Sequence, residues 1–228
     1  MRRLISLLLA FFCLSGLCLR TGAASGIIYS HPTGAEKPRV ALTFDDGPHP
    51  RYTPQILEIL EEYGVVATFF SVGINAETYP ELIKRELAAG HEIGNHTYNH
   101  YHVSKLSQEA LEKDIHACTQ ALERISGRKI TLFRPPEGIC SDSVKAICGA
   151  DGMCIVLWSI DTRDWAHPAV CDIYQNVKQN VKDGAIILMH DFIGKNSPTP
   201  AALRQIIPML LALGYEFVTV TQLLEGTE

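Results

Sequence analysis

Residues 39–46 read RVALTFDD, an apolar run that ends in two adjacent aspartates. The run over 39–44 predicts a buried β-strand, and the following Asp45-Asp46-Gly47-Pro48 favours a turn. Two carboxylates directly after a strand stand where β/α barrels carry their functional groups. This segment therefore predicts both a strand of a sheet and the start of a polar site at its carboxyl end.

Outward from this strand, the chain alternates short apolar runs with amphipathic stretches. The predicted strands are 39–44, 65–71, 92–95, 130–133, 154–160, 185–189 and 216–220. The predicted helices are 54–63, 76–89, 107–126, 141–150, 169–181 and 199–213, with a kink or break at Pro208. Such alternation implies a parallel sheet with right-handed crossovers. A TIM-type barrel and a doubly wound sheet both fit, in a single α/β domain.

The composition is that of one globular domain. The chain has 228 residues, of which 46% are hydrophobic and 20% are charged, and this excludes a disordered or coiled-coil protein. Its formal charge of −5 argues against a broadly basic surface, so no nucleic-acid partner is expected. Beyond residue 24 the cysteines are odd in number and lack a C-x-x-C pair, which argues against a structural zinc site. One disulfide among Cys140, Cys148 and Cys154 stays open.

The first 24 residues differ in character from the rest. Arg2 and Arg3 precede a near-continuous apolar stretch over 4–19, and small residues follow at 22–24. This stretch is shorter than the ~20 residues of a membrane span, so residues 1–24 are predicted to be a secretory signal peptide, with an uncleaved N-terminal anchor as the alternative. We expect a secreted, cell-wall-associated protein without a stable membrane span after cleavage. Residues 25–37 would be a lead-in, and residues 38–225 the domain itself.

Polar side chains follow other predicted strands at the same end as the two aspartates. The carboxyl ends of the strands in a β/α barrel form one rim, so residues far apart in the sequence can converge there. The residues at these positions are Asp45, Asp46, His96, His100, Arg134, Asp161, Asp164 and His190.

The pair His96 and His100 indicates a metal site. At a spacing of four residues, two imidazoles would lie on one face of a helical turn, as a divalent cation requires. A carboxylate from Asp45 or Asp46 would complete a His-His-Asp set, and the other could accept a proton from a water activated by the cation. The nearby His91 does not begin an H-E-x-x-H zinc motif, because position 95 is Asn.

These residues stand in five ordered motifs that resemble those of the polysaccharide deacetylases, the NodB-homology enzymes of carbohydrate esterase family 4. The motifs are Thr43-Phe-Asp-Asp-Gly47, His96-Thr-Tyr-Asn-His100, Arg134-Pro-Pro-Glu-Gly138, Asp161-Thr-Arg-Asp-Trp165 and Leu188-Met-His190. The resemblance spans about residues 38–225. It implies a distorted TIM-like (β/α)7 barrel, one divalent metal ion (Zn²⁺, with Co²⁺ or Mn²⁺ as alternatives) and hydrolysis of N-acetyl groups on amino-sugar polymers.

The resemblance also implies catalytic roles. Asp45 would be the general base that acts on the attacking water, with Arg134 orienting it. His190 would be the general acid that protonates the leaving amine, and Asp161 would pair with His190 and keep its pKa high. The residues that would hold the metal are Asp46, His96 and His100.

Four further residues are expected on the substrate side. The backbone N–H of Glu137 would help to stabilise the oxyanion, and Trp165 and Leu188 would form apolar walls, with Asp164 beside them. Glu137 departs from the family's commonest pattern, which has an aromatic residue there. An acid at this position could repel carboxylated sugars or bond to hydroxyls, so the choice between N-acetylglucosamine and N-acetylmuramic acid stays open.

The predicted function is that of a secreted, metal-dependent deacetylase that releases acetate from peptidoglycan or chitin-like glycans. One alternative is an O-acetyl esterase of the same family that acts on xylan. A second is a catalytically silent module that only binds wall glycans, and the complete set of motif residues argues against it. The sequence does not predict an oligomeric state.

Overall fold

Residues 39–45 form a central strand, as the apolar run over 39–44 predicts. The computed structural model describes residues 26–225, so the predicted signal peptide at 1–24 lies outside the described residues. The strand Arg39–Asp45 is buried along almost its whole length. It pairs in parallel with Thr68–Ser71 on one side and with Ala185–His190 on the other. The two faces of a parallel sheet are both covered, which explains why this strand is mostly apolar rather than alternating.

The described chain contains strands and helices in alternation. The strands are β1 (Ile27–Ile28), β2 (Arg39–Asp45), β3 (Thr68–Ser71), β4 (Glu92–Asn95), β5 (Leu132–Phe133), β6 (Cys154–Val156), β7 (Ile160–Asp161), β8 (Ala185–His190) and β9 (Glu216–Phe217). The α-helices are α1 (Tyr52–Tyr63), α2 (Gly73–Thr78), α3 (Pro80–Ala88), α4 (Gln108–Ser126), α5 (Asp142–Asp151), α6 (Val170–Asn180), α7 (Thr199–Ala212) and α8 (Val220–Glu225). Short 3₁₀ turns lie at Val103–Lys105, Pro136–Gly138 and Asp164–Ala166.

All strands belong to one curved parallel sheet. Their order is β1-β6-β5-β4-β3-β2-β8-β7, and β9 pairs with β2 outside this series. This confirms the predicted fold class, a distorted TIM-like (β/α)7 barrel in a single α/β domain. The segment at 25–37, predicted as a lead-in, contributes to the sheet: β1 pairs with β6, and Ser30 forms a bridge with Ala185 of β8.

The predicted strand 154–160 is wrong as a single strand. It divides into β6 and β7 because its hydrogen bonds change partner: Leu157 donates its N–H to the carbonyl of Ile28, whereas Ser159 donates to that of Ile186. The last predicted strand is also too long. It ends at Phe217, and α8 begins at Val220.

Proline has opposite effects in two predicted helices. The predicted helix 76–89 is interrupted at Tyr79, which precedes Pro80 and has φ −128° and ψ 55°, outside the helical region; a residue before proline is disfavoured in helical geometry. Helix α7, in contrast, continues through Pro208 to Ala212, so the predicted break is absent. Ile206 and Ile207 are fully buried beside that proline, and burial of two such side chains offsets a loss of about 3 kcal/mol.

The remaining described features bear on chemistry and location. All five cysteines among residues 26–225 are free thiols, so the disulfide left open by the sequence does not form there. No helix between residues 26 and 225 is long and apolar enough to cross a membrane. Ser107 and Ser141 cap α4 and α5 through their side-chain oxygens, which supports the predicted starts of these helices.

Candidate active site

A cleft of about 320 Å³ opens at the carboxyl end of the strands. Most predicted site residues line it, although they come from β2, β7, β8 and the segments after β4, β5 and β7. Arg134 and Asp164 lie buried behind the wall instead. The residues that line the cleft are Asp45, Asp46, His96, His100, Glu137, Trp158, Asp161, Trp165, Leu188 and His190.

Three of these side chains form a compact candidate metal site. One carboxylate oxygen of Asp46 lies 3.3 Å from Nε2 of His96 and 3.0 Å from Nε2 of His100. One ligand atom from each residue falls within 4.8 Å of the others. Ligand atoms placed 2.0–2.1 Å from a tetrahedral ion lie ~3.3 Å apart. The predicted ligand set therefore has the spacing that a small divalent cation needs.

The tautomer of His96 also fits metal binding. Its Nδ1 lies 2.7 Å from the main-chain carbonyl oxygen of Arg134. A carbonyl can only accept, so Nδ1 carries a proton, and Nε2 is the nitrogen that faces Asp46 and can bind a metal. A hydrogen bond of this kind on the second ring nitrogen is the usual way a protein orients a metal-ligating histidine.

The segment 96–100 is a loop, and its expected helical turn is absent. Thr97 and His100 have φ of 65° and 55°, in the left-handed region. Asn95 accepts a hydrogen bond from the N–H of Thr97, and Asp114 of α4 accepts two from the main chain at 98 and 99. The two imidazoles converge because neighbouring side chains hold this loop, rather than because of helical periodicity.

The charges in this cluster are strongly coupled. Burial alone would raise the pKa of Asp46, but its hydrogen bonds with His100 and His96 outweigh burial and hold that pKa far below its usual value. The same bond to Asp46 is the main cause that raises the pKa of His100. The cluster thus favours an ionised carboxylate, which is the form that binds a cation.

Asp45 is held by a buried guanidinium, as predicted. Nη1 of Arg134 donates to one carboxylate oxygen of Asp45 at 2.7 Å and to Oγ1 of Thr43 at 2.8 Å. The same guanidinium donates to the carbonyls of Val156 and Leu157, so it cannot move away. The second oxygen of Asp45 points towards the metal cluster, 3.7 Å from Nε2 of His96.

His190 pairs with Asp164, and the pairing with Asp161 is wrong. Nδ1 of His190 lies 2.7 Å from the carboxylate of Asp164, which also accepts from the N–H of His190 and from Oγ1 of Thr199. Asp161 instead accepts from the N–H of Arg163. The turn at Arg163, with φ 57°, carries the chain back so that the second aspartate enters the interior.

This buried pair changes the acidity of His190. Burial alone would lower the pKa of His190, but the hydrogen bond and the charge of Asp164 outweigh it and raise the pKa to about 9. Because Nδ1 faces Asp164, Nε2 is the nitrogen that can face a ligand in the cleft. In the sheet register His190 stands beside Asp45.

Two indoles and a leucine form the apolar walls. Leu188 is buried, whereas Trp165 is 48% exposed at the rim, which is unusual for so large an apolar side chain. Trp158 also lines the cleft, and the sequence reasoning missed it. Its position just after β6, at the same strand end as the other site residues, is a signal that could have identified it.

The turn that carries Glu137 packs directly against Trp158. Gly138 has φ 69°, and a Cβ added there would lie 2.8 Å from the indole, so only glycine fits. Glu137 itself has φ 58°. Within residues 26–225, the main-chain N–H of Glu137 forms no hydrogen bond. Its side chain lies 3.3 Å from Nε2 of His102.

Asp191 is a second residue that the sequence reasoning missed. It is buried beneath the turn after β2, where a Cβ added to Gly47 would lie 2.0 Å from its carboxylate. Thr53 donates its hydroxyl to Asp191 and also accepts from the N–H of His49. Burial is the main cause that raises the pKa of Asp191 to about 7. In the sequence, only its position next to His190 could have identified Asp191 as part of the site.

Together, these features define a class of protein: an α/β-barrel hydrolase with a His-His-Asp candidate metal site, a carboxylate held by arginine and a His–Asp pair.

Comparisons with known proteins agree with this class. The family model for polysaccharide deacetylase matches residues 33–156. A peptidoglycan-N-acetylglucosamine deacetylase of Bacillus cereus is 46% identical over 187 residues, which cover 81% of this chain and 87% of that protein. A chitooligosaccharide deacetylase of Azorhizobium caulinodans is 37% identical, over 77% of this chain and 90% of that protein.

A solved structure gives the same result. The crystal structure of the Bc1960 peptidoglycan N-acetylglucosamine deacetylase is similar with a TM-score of 0.83 at 36% identity, and the match covers 88% of this chain and 94% of that one. The chain belongs to the polysaccharide deacetylase family, the NodB-homology enzymes of carbohydrate esterase family 4. This confirms the resemblance drawn from the five motifs and places the chain in a family of enzymes that hydrolyse N-acetyl amide bonds.

Proposed function

We propose that this enzyme removes N-acetyl groups from amino-sugar polymers of the peptidoglycan or chitin type, with Zn²⁺ as its metal, and that it acts outside the cytoplasm. The observation that carries this proposal is the juxtaposition of Asp46, His96 and His100 with Asp45 and His190 on one rim. The named activities of the similar proteins support the same substrate class.

Asp46, His96 and His100 would hold the cation. A divalent metal bound there would lower the pKa of a water molecule and polarise the acetyl carbonyl. Two neutral imidazoles and one carboxylate are a ligand set that zinc accepts, with remaining positions for water or substrate. Export is proposed from the basic start, apolar stretch and small residues of positions 1–24.

Asp45 is the proposed general base. Arg134 occupies one of its carboxylate oxygens, so the other is free to accept a proton from the attacking water. The buried guanidinium also keeps the carboxylate in one orientation. A base held in this way loses little entropy when the substrate binds.

His190 is the proposed general acid. Its bond to Asp164 leaves Nε2 for the leaving nitrogen, and its raised pKa of about 9 keeps it protonated at neutral pH. An amine leaves a tetrahedral carbon only when its nitrogen is protonated, so this donor is essential for an amide. An ester is less dependent on such an acid, because an alkoxide is the better leaving group.

The remaining cleft residues bind and position the substrate. The main-chain N–H of Glu137 has no partner within the described chain and is proposed to donate to the oxyanion. Trp165 and Leu188 offer apolar surfaces to the acetyl methyl group and the sugar face. Asp161 lines the cleft, and its carboxylate accepts from the N–H of Arg163 rather than from His190. It is therefore proposed to contact the substrate.

Acetate release is the direct test of this function. We expect release from chitooligosaccharides or peptidoglycan in the presence of Zn²⁺ and its loss with EDTA. A faster reaction on acetylated xylan would favour the O-acetyl esterase instead. Binding of glycans without acetate release from any substrate would favour the silent binding module.

The metal assignment has a separate test. His100→Ala should lower zinc content and acetate release together, because it removes one of three ligands. His116→Ala provides a matched control, because this histidine pairs with Asp151 away from the cleft. Full zinc content in the His100→Ala protein, measured by elemental analysis, would contradict the proposed site.

A further inference from the structure

The lining of the cleft combines carboxylates with indoles. Glu137 follows β5, Trp158 follows β6 and Asp161 ends β7, and all three line the cleft. Because Gly138 packs on Trp158, the turn that carries Glu137 and the indole form one unit. This unit therefore presents a carboxylate beside an aromatic face.

Glu137 is the most exposed of the four acids that line the cleft. Asp45 is paired with buried Arg134, and Asp46 is shared between two imidazoles. Glu137, in contrast, is 56% exposed, and His102, itself 34% exposed, is its one ion-pair partner in the described chain. Its charge therefore faces any ligand that extends along this unit.

An exposed cation stands beside Trp165, one of the residues that line the cleft. The guanidinium carbon of Arg163 lies 5.6 Å from the centre of the Trp165 ring, and Arg163 is exposed. The N–H of this residue donates to the carboxylate of Asp161. Arg163 is therefore a charged residue near the cleft with which the effect of Glu137 can be compared.

An exposed carboxylate in the cleft has a chemical consequence for a glycan. A carboxylate accepts hydrogen bonds from sugar hydroxyls and attracts a free ammonium group, but it repels another carboxylate. We propose that Glu137 is a specificity-determining residue that disfavours a free carboxylate on the sugar next to the reacting unit. The substrate class is then an amino-sugar chain whose neighbouring units are neutral or carry free amines. This inference rests on the proposed function and narrows its substrate.

Two substrates that differ in the charge of one carboxyl group and in one methyl group test the inference. One is an oligosaccharide of alternating N-acetylglucosamine and N-acetylmuramic acid with free lactyl carboxylates, and the other is its methyl ester. We expect the enzyme to act on the ester with a kcat/KM about two- to fivefold higher, the scale of an exposed charge–charge interaction. The preference should disappear at an ionic strength of about 1 M, where the Debye length falls to ~3 Å.

Two matched variants then identify the residue. Glu137→Gln keeps the size and the main-chain N–H and should abolish the preference for the ester. Arg163→Gln should leave the preference intact or increase it, because it removes a cation. A preference that survives in Glu137→Gln at low salt, or no preference in the unmodified enzyme, would overturn the inference. A purely structural role of Glu137 would change both rates equally and leave their ratio and its salt dependence unaltered.

The outcome also separates this inference from the proposed function. Acetate release from both oligosaccharides with equal kcat/KM would refute the role of Glu137 but keep the deacetylase. No acetate release from these substrates or from chitooligosaccharide, with zinc added, would refute the deacetylase. Calorimetric Kd values for the same acid and ester would then still decide whether Glu137 discriminates between them.

Discussion

The two ends of the barrel use carboxylates in different ways. At the carboxyl end, Asp45, Asp46 and Asp164 contact arginine or histidine. At the amino end, Asp183 accepts hydrogen bonds from main-chain N–H groups of residues 33, 34 and 39. The bonds at the carboxyl end fix carboxylates beside charged side chains of the site, whereas the bonds of Asp183 join separate segments of the chain; both kinds are strengthened by the carboxylate charge.

Glu92 belongs to the same amino end as Asp183. Its carboxylate accepts from the hydroxyl of Thr68 and from the N–H and hydroxyl of Thr221. These bonds join the start of β4 to β3 and to α8. The difference between the ends follows the general division of β/α barrels, in which chemistry lies at the carboxyl end and stability at the amino end.

The strain in the backbone follows the same division. Asp46, His100 and Glu137 all line the cleft and have positive φ without being glycine. Each such residue costs of order 1–3 kcal/mol and persists only where the surrounding structure enforces it. The strained residues at the carboxyl end therefore lower the stability of the fold while they position the functional groups. Contacts at the amino end, such as those of Asp183 and Glu92, raise the stability.

The largest expected effect is at the proposed base. Asp45→Asn should lower acetate release by about 10³-fold, because the amide cannot accept the proton from water. Zinc content should stay unchanged, since Asp46, His96 and His100 remain. Elemental analysis measures the zinc content and acetate assays measure the activity. Asp142→Asn is the control, because the side chain of Asp142 is fully exposed. Full turnover by Asp45→Asn would assign the base elsewhere.

The next effect concerns the acid at the same end. Asp164→Asn removes the charge that raises the pKa of His190 to about 9. His190 must be protonated to donate, so activity falls as the pH rises through its pKa. In the variant, the descending limb of the kcat/KM profile should move from about pH 9 towards pH ~6.5, with kcat/KM about fourfold lower at pH ~7 and about 10²-fold lower at pH ~8.5. Asp161→Asn should leave that limb in place; a shift caused by Asp161→Asn alone would contradict the observed pairing.

The amino end should respond in stability instead of activity. Asp183→Ala removes several hydrogen bonds to a charged acceptor and should lower the free energy of unfolding by about 2 kcal/mol, while kcat stays unchanged. Burial alone would raise the pKa of Asp183, but hydrogen bonds, first that from Arg39 N–H, outweigh it and lower the pKa. The stabilisation is therefore present above pH ~3.9 and is lost as the pH falls through the lowered pKa. Urea unfolding well above and well below pH ~3.9 measures this stabilisation. An Asp183→Ala protein with normal stability but lost activity would contradict the assignment of Asp183 to the stability of the fold.

The smallest expected effect concerns Glu86, whose carboxylate has neither the charged partners of the carboxyl end nor the hydrogen bonds of the amino end. Glu86 is fully buried, and both of its carboxylate oxygens lack a partner within the described chain. Burial raises its pKa well above the usual value, so the folded state loses stability as the pH rises above pH ~4.3. Glu86→Met should raise the free energy of unfolding by about 1 kcal/mol, and by more at high pH than at low pH. Urea unfolding at high and at low pH measures this change. An equal increase in the free energy of unfolding at the two pH values would show that Glu86 does not titrate between them.

Much of the fold could be predicted from local pattern. The run at 39–46, the alternation of strands and helices and the serine caps of α4 and α5 all depend on neighbouring residues, and the structure confirms them. The division of 154–160 into β6 and β7 could not be predicted, because it depends on the distant carbonyls of Ile28 and Ile186. Continuity of α7 through Pro208 likewise depends on what packs against it.

The site was predicted as a set of residues more accurately than as a set of contacts. The motifs identify three histidines and four aspartates of the site, yet they assign Asp161 to His190 and miss Trp158 and Asp191. Asp161 and Asp164 are of the same type and stand three positions apart. Sequence offers no basis for choosing between them, because the choice depends on the left-handed turn at Arg163.

The sequence by itself determined which chemical groups stand at the strand ends and in what order, since apolar period and motif spacing are local properties of a chain. Only the tertiary structure decided which carboxylate meets which partner. Hydrogen bonds form within about 3 Å, and distances of that size between β2, β5 and β8 are set by strand order, by register and by the loops that join them. The charge of the wall at Glu137 belongs to the same category, because its lack of a strong partner is a property of the assembled rim.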